Sequence, residues 1–290
     1  MLLKTKLQNY KNSSGAKWEI IEQDYVLSWI LAGIASHPSL QENLIFKGGT
    51  CLRKCYFGDY RFSQDIDLSV IAQHDELQKY LESYIKKACE VGESLVQDQG
   101  ESFCLKCSPY KEKQPHPEGQ QAFLVEAKFP WHREFLTKVY IEVSFSEKVI
   151  LQSVSRAIIH PYEDNFDFKL QAYSIDEIIA EKIRALLQFS KKLHERGWGR
   201  SRVRDYYDLW SILKYYAGEI TPDIIPNLTQ EKCAHKSVIF DNINDIFNEK
   251  LMLNVDEEWE SWLGGIVVSG LPEKCVVIQD LKENLGKIFK

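Results

Sequence analysis

The sequence predicts an α+β protein, with a mixed-sheet lobe over residues 1–165 followed by a mainly helical lobe over 166–290. Three observations predict it. Residues 65–71 and 138–145 alternate apolar and polar side chains, the period of half-buried strands. From Ser174 onward the apolar residues recur at helical spacing instead. No internal repeat or low-complexity tract interrupts the chain, so two packed lobes are the economical division.

In order along the chain, an apolar-periodic helix is expected at Trp18–Ser36, and after Pro38 a short apolar run, Asn43–Phe46, stops at Lys47-Gly48-Gly49-Thr50. Asp65–Ile71 reads as a strand and Glu76–Val96 as a long amphipathic helix. The stretch from Glu101 to Phe145 is β-rich, with a polar loop holding three prolines between Cys107 and Glu118 and strands at Ala122–Lys128 and Lys138–Phe145. A short strand fits Arg156–Ile159. Ser174-Ile-Asp-Glu177 has the capping-box pattern and opens a helix through about Phe189. A basic, glycine-containing loop leads to a helix from about Arg204 to Tyr216, with further helices near 237–250, 256–263 and 277–289.

Composition narrows the function. The 290 residues carry 36 Lys and Arg against 42 Asp and Glu, a formal charge of −6, with 44% hydrophobic residues. Such usage excludes a disordered acidic tail, a collagen and a small disulfide scaffold. The longest largely apolar stretch, Val26–Ile34, is far short of the roughly 20 residues a bilayer span needs. The first residues lack the apolar core of a secretory signal. A cytoplasmic protein with no membrane partner is expected. Seven cysteines (51, 55, 89, 104, 107, 233 and 275) then read as reduced thiols. Cys104 and Cys107, with His116 or His132, raise a zinc site, but no second closely spaced ligand pair accompanies them.

The chemistry concentrates in Lys47-Gly48-Gly49-Thr50 and Arg61-Phe62-Ser63-Gln64-Asp65-Ile66-Asp67-Leu68. On a strand Asp65, Asp67 and Ser69 share one face, while Ile66, Leu68 and Val70 share the other. Two carboxylates so placed repel unless a cation lies between them, and hard oxygen ligands suit Mg2+ or Mn2+. In Val139–Phe145 the same alternation leaves Glu142 opposite the apolar face, a third carboxylate if the two strands are neighbours. Two metals could then clamp an in-line phosphoryl or nucleotidyl transfer. The glycines of the Gly48-Gly49-Thr50 turn let backbone N–H groups approach a phosphate at a helix start. Arg61 and Ser63 would touch that phosphate or brace the strand.

Two charges in the helical half sit where apolar residues are expected. At about 100° per residue, Lys182 lies about −20° from Ile175, inside the stripe of Ile178, Ile179 and Leu186. Asp205 lies on the buried arc of its helix with Leu209, Ile212 and Tyr216. They would either pair as a buried salt bridge or line a cleft, with Lys182 on nucleotide phosphates and Asp205 orienting the acceptor or the lysine. Asp208 is a weaker candidate, a cap or ion-pair partner. From Lys182 to Lys214 the chain is +6 and elsewhere −12. Arg196, Trp198, Arg200, Arg202 and Arg204 form a basic aromatic loop suited to a nucleic-acid backbone and a stacked base.

These motifs resemble the nucleotidyltransferase superfamily of the DNA polymerase β type, whose pattern is a Gly-Gly-Ser/Thr turn, a DxD or DxE strand and a third acid on a later strand. Within it, RFSQDIDL, IDEIIAEKIRALLQ, RVRDYYDLW and the earlier EIIEQDYVLSWIL resemble AbiEii/AbiGii toxin-type nucleotidyltransferases. The resemblance spans about residues 18–216. It implies a nucleotidyltransferase lobe and a helical lobe, with Asp65, Asp67 and Glu142 as metal ligands. Gly48, Gly49, Thr50, Arg61, Ser63 and Lys182 would contact nucleotide, and Lys182 and Asp205 would be active-site residues. It further implies an NTP substrate, an RNA acceptor such as a tRNA 3′ end and a cognate antitoxin. Two other readings share these residues: a non-catalytic binding module on the same fold, and a small-molecule nucleotidyltransferase of the antibiotic-modifying kind.

Overall fold

The structure, a computed structural model, describes residues 2–71, 75–111, 119–199 and 201–290. It forms two compact units, Met1–Val149 with Ser153–Ala172, and Ile150–Gln152 with Tyr173–Lys290. The fold is α+β, with all strands in the first unit.

That unit carries a seven-stranded mixed sheet. In chain order its strands are β1 (Leu44–Lys47), β2 (Asp65–Val70), β3 (Cys104–Pro109), β4 (Gln120–Lys128), β5 (Thr137–Ser144), β6 (Val154–Ala157) and β7 (Lys169–Ala172). They lie in the order β3-β4-β5-β2-β1-β7-β6. β2 runs parallel to β5 and β1 parallel to β7; the other pairs are antiparallel. The main boundary falls at Ala172 rather than near residue 165, because Ala172 pairs with Phe46 and ties β7 into the sheet.

Three longer helices pack in this unit, α1 (Leu2–Ser14), α2 (Trp18–Ser36) and α5 (Asp75–Gln97); α3 (Pro38–Asn43) and α4 (Gly48–Cys51) are short. Sequence periodicity does not announce α1; it docks by Leu3 and Leu7, and its Lys6 meets Asp164 at 2.6 Å. α2 is buried around nearly its whole girth, as its apolar content demands. It crosses α5 backbone against backbone: a Cβ on Gly33 would lie 1.9 Å from the Ala88 carbonyl oxygen. α4 continues without a break into a π-helical turn, Leu52–Phe57, closed by Gly58 N–H donating to the Arg53 carbonyl at 3.0 Å.

The second unit is helical: α6 (Ile175–Arg196), α7 (Val203–Tyr215), α8 (Ile225–His235), α9 (Glu249–Leu263) and α10 (Lys274–Ile288). Ser174 caps α6 by accepting from Glu177 N–H at 3.2 Å. The reciprocal half of a capping box is absent, since the Glu177 carboxylate accepts from Ile150 N–H and Leu151 N–H and meets Lys232 at 2.6 Å. The helix expected near 237–250 is instead a 3₁₀ turn, Ile243–Phe247, followed by α9. The reason is capping: Asn242 accepts from Asn244 N–H and Asn248 from Leu251 N–H, so each asparagine starts a new segment. Sequence periodicity does not announce α8, whose Pro226 sits at the helix start, where proline is well suited. Among the described residues no helix is long and apolar enough to cross a membrane.

Candidate active site

The site grows from the end of β1. Lys47 is extended, and the chain then turns sharply at Gly48, whose φ is +80°. An L side chain is strained at that angle. Space also requires glycine here, because a Cβ on Gly48 would lie 2.2 Å from Asp67 Oδ2. At Gly49 the intruding group is a guanidinium, with Arg61 Nη2 2.4 Å from where a Cβ would stand. The two glycines therefore let a carboxylate and a guanidinium lie directly against the turn.

Sheet register supplies the rest. Asp67 pairs with Lys47 on one side and Glu142 on the other, and Asp65 pairs with Tyr140. Register partners on neighbouring strands project to the same face, about 4.8 Å apart, and Asp65 stands about 6.6 Å along the strand from Asp67. Glu142 is thus beside Asp67, as the alternation predicts. All three acids are half-buried, whereas Ile66, Leu68, Ile141 and Val143 on the opposite face are buried. The oxygen-only donor set and the glycine cradle fit a hard divalent cation. Among the described residues no three His, Cys, Asp or Glu side chains are already gathered as a metal-holding group.

The Thr50 hydroxyl is buried and donates to the Asp65 carbonyl, so it braces α4 against β2. Arg61 is also buried; it donates to the Phe62 carbonyl at 3.3 Å and lies against Gly49. Ser63 is half-buried in the segment leading into β2.

In the helical unit, the ammonium of Lys182 on α6 meets Asp205 Oδ1 at 2.9 Å and Asp208 Oδ2 at 2.5 Å, both on α7. Arg202 adds a longer contact to Asp205 at 3.4 Å. Lys182 is 7% exposed and Asp208 0%. Burial pushes the Asp205 carboxyl up, but Lys182 and Arg202 outweigh it and hold it below the usual carboxylate range. Asp208, the weaker candidate in sequence, is the closer partner. Three residues apart on a helix, it and Asp205 are neighbours, so one ammonium reaches both.

Among the described residues the zinc alternative does not assemble. Cys104 and Cys107 are an odd number of residues apart on β3, which sends their thiols to opposite faces. Cys107 instead accepts a hydrogen bond from the free thiol of Cys89 on α5, and His132 meets Glu22 at 3.0 Å. His116 and Arg200 lie outside the described residues.

Two groups escaped the sequence reading altogether. Arg53 and Lys54, 2% and 1% exposed, follow the glycine turn and bind the buried Asp24 of α2. Their signal was present: three charged residues inside otherwise apolar runs, YVLSWIL preceded by Asp24 and CLRKCYF enclosing the pair.

A comparison with known families gives a match over residues 29–279 to the one described as "Nucleotidyl transferase AbiEii toxin, Type IV TA system". The chain belongs to the AbiEii nucleotidyl transferase toxin family. As a member it is a nucleotidyltransferase, and the quoted stretches RFSQDIDL, IDEIIAEKIRALLQ and RVRDYYDLW fall within the matched span, whereas most of EIIEQDYVLSWIL precedes it. Among solved structures, one from H. pylori, described there as a provisional nucleotidyltransferase, is similar at 16% identity with a TM-score of 0.41. It covers 83% of this chain and 96% of its own. Nothing further rests on so loose a likeness. No curated protein matches the chain. For this AbiEii-family protein, the turn at Gly48–Thr50 and the acids of β2 and β5 are the parts of the superfamily pattern that the first unit assembles by itself.

Proposed function

We propose that this AbiEii-family protein transfers an NMP from an NTP to an acceptor hydroxyl on RNA, with Mg2+ or Mn2+ as cofactor. The observation that supports it is the in-register pair Asp67–Glu142 set against the Gly48 turn, with Asp65 two residues along the same face. In the reaction the acceptor oxygen bonds to the α-phosphorus, the bond from that phosphorus to its bridging oxygen breaks, and pyrophosphate leaves. Asp65, Asp67 and Glu142 would hold the cation, which when bound neutralises phosphate charge. Mg2+ typically takes only one or two carboxylates and completes its shell with water and substrate phosphates, so a complete protein cage is not required. The chain's own contribution is positioning: Gly48 and Gly49 leave the backbone open to close approach by a phosphate. The resemblance gives Lys182 and Asp205 catalytic roles, which substitution tests.

An RNA acceptor is supported by the loop after α6. Trp198 is 70% exposed there, between Arg196 and Arg202. The nearby Lys192 ammonium is driven below its ordinary value by partial burial and by repulsion from Arg202, Arg196 and Arg184. A concentration of positive charge beside an open indole suits phosphates and a stacked base. The family's toxin–antitoxin description supports a cognate antitoxin as partner, tested by whether a neighbouring gene's product relieves growth arrest.

The deciding experiment incubates the protein with each labelled NTP, Mg2+ and total RNA. Labelled RNA is expected. Label on small molecules alone would favour the antibiotic-modifying class, and no binding of Mg-NTP by calorimetry would favour a non-catalytic module. Replacing Trp198 by Ala should raise KM for RNA about fivefold or more and leave KM for NTP unchanged, from the usual loss of one stacked base. An unchanged KM for RNA would remove this loop from acceptor binding.

A further inference from the structure

Asp24 is buried together with two cations, Arg53 and Lys54. Its Oδ1 accepts from Arg53 Nε at 2.7 Å and its Oδ2 from Lys54 Nζ at 2.8 Å. Tyr162 donates its hydroxyl to Oδ2 at 3.1 Å, and Lys54 also donates to Ser28 Oγ at 2.9 Å. Asp24 is 1% exposed. Burial pushes its carboxyl up, yet Arg53 and Lys54 together drive it far below the usual carboxylate range. The two cations do not come from scattered places. Both belong to the π-helical turn that continues from Gly48–Cys51.

The cluster reaches the glycine turn by two routes. Along the backbone, Asp24 grips the π-turn three and four residues after Thr50. Through side chains, Arg53 donates from Nη1 to the Tyr60 carbonyl at 2.5 Å, fixing the segment from which Arg61 lies against Gly49. Arg53 also stacks on Phe62, its guanidinium carbon 3.7 Å from the ring centroid, and donates to Tyr10 at 3.0 Å. The Lys54 carbonyl accepts from Ile159 N–H at 2.6 Å.

Stability alone does not explain such a cluster. Apolar residues of similar volume often serve a buried site at least as well as an ion pair does. What charges add is direction, because each bond fixes an angle as well as a distance. A π-turn is moreover an unfavourable local geometry, frequent at functional sites. Here the direction is imposed on the segment that follows the proposed phosphate turn.

We propose that Asp24 is a positioning residue for the nucleotide-binding turn, fixing Gly48–Thr50 beside Asp67 through its grip on Arg53 and Lys54. The nucleotide part rests on the function proposed above; the positioning part does not. Asp24→Asn keeps the side chain's shape and removes its charge. Amide hydrogen exchange across residues 47–58 should then accelerate about tenfold or more, with β5 protection unchanged, as expected of local rather than global opening. In the transfer assay KM for Mg-NTP should rise about tenfold with kcat within about threefold, the signature of lost ground-state binding. Lys54→Met, which leaves the Arg53–Asp24 pair intact, should show the same pattern at smaller amplitude, and it carries the comparison if Asp24→Asn does not fold. Unchanged exchange at 47–58, or equal acceleration in β5, would overturn the proposal. Wild-type protein that labels nothing with any NTP would sink the transferase reading alone, and the exchange result would still decide the role of Asp24.

Discussion

The acids of β2 and β5 and the charges of α6 and α7 place ionised groups beside an apolar core by opposite means. On β2 the two-residue period turns every acid away from the core, so Asp65 and Asp67 stay half-buried while Ile66 and Leu68 fill the interior. On α6 the charge falls inside the apolar stripe, and Lys182 is buried with two carboxylates from α7 upon it. Strand acids can keep part of their exposure to solvent. Helix-borne charges on a buried face cannot, so they are matched in advance. The first arrangement is half-exposed and the second is electrostatically closed, with Asp205 and Asp208 sharing Lys182 and with Arg202 on Asp205.

Substitutions should separate the two regions. The largest effect is expected at Asp67→Asn, which removes a proposed metal ligand and keeps the side chain's shape. Transfer should fall about a thousandfold, in the range of lost transition-state charge stabilisation, while the melting temperature stays near that of the wild type. Retained labelling would take Asp67 out of the mechanism. Lys182→Met should behave differently, since it removes the ammonium that Asp205 and the buried Asp208 share. A loss of about 3–5 kcal/mol in urea unfolding is expected, largely recovered when Asp205→Asn and Asp208→Asn are added. If the single change leaves stability unaltered, the closed character of the triad is wrong.

The smallest effect concerns pH. The folded-state carboxyl of Asp205 lies below its unfolded value, so its contribution to stability is present above the unfolded pKa and disappears as pH falls through the folded one. Asp205→Asn should therefore flatten the acid arm of the stability curve below about pH 4. Identical acid arms in the two proteins would show that Lys182 and Arg202 do not hold that carboxyl down.

Legibility in the sequence followed the same contrast. Asp65, Asp67 and Glu142 could be read directly, because alternation assigns faces from local sequence, and the register then made Asp67 and Glu142 neighbours. The helical wheel likewise flagged Lys182 and Asp205 as misplaced charges. It undervalued Asp208, because an angle on one helix does not show which group on another helix will reach it. The hydroxyl of Thr50 also braces Asp65, a contact between residues on separate elements that local sequence does not show. α1, α8 and β7 were missed because their short or irregular apolar patterns gain meaning only from the surfaces that they cover.

Local sequence by itself determined the α+β class, the face that each strand acid occupies and the presence of glycine at the turn, since periodicity and backbone sterics act within a few residues. Only the tertiary structure decided which acid stands beside which, that one ammonium serves both Asp205 and Asp208, and that Asp24 binds Arg53 and Lys54. Those pairings join residues far apart in the chain, and burial makes them obligatory: once removed from water, each charge must find its counter-charge in space rather than in sequence.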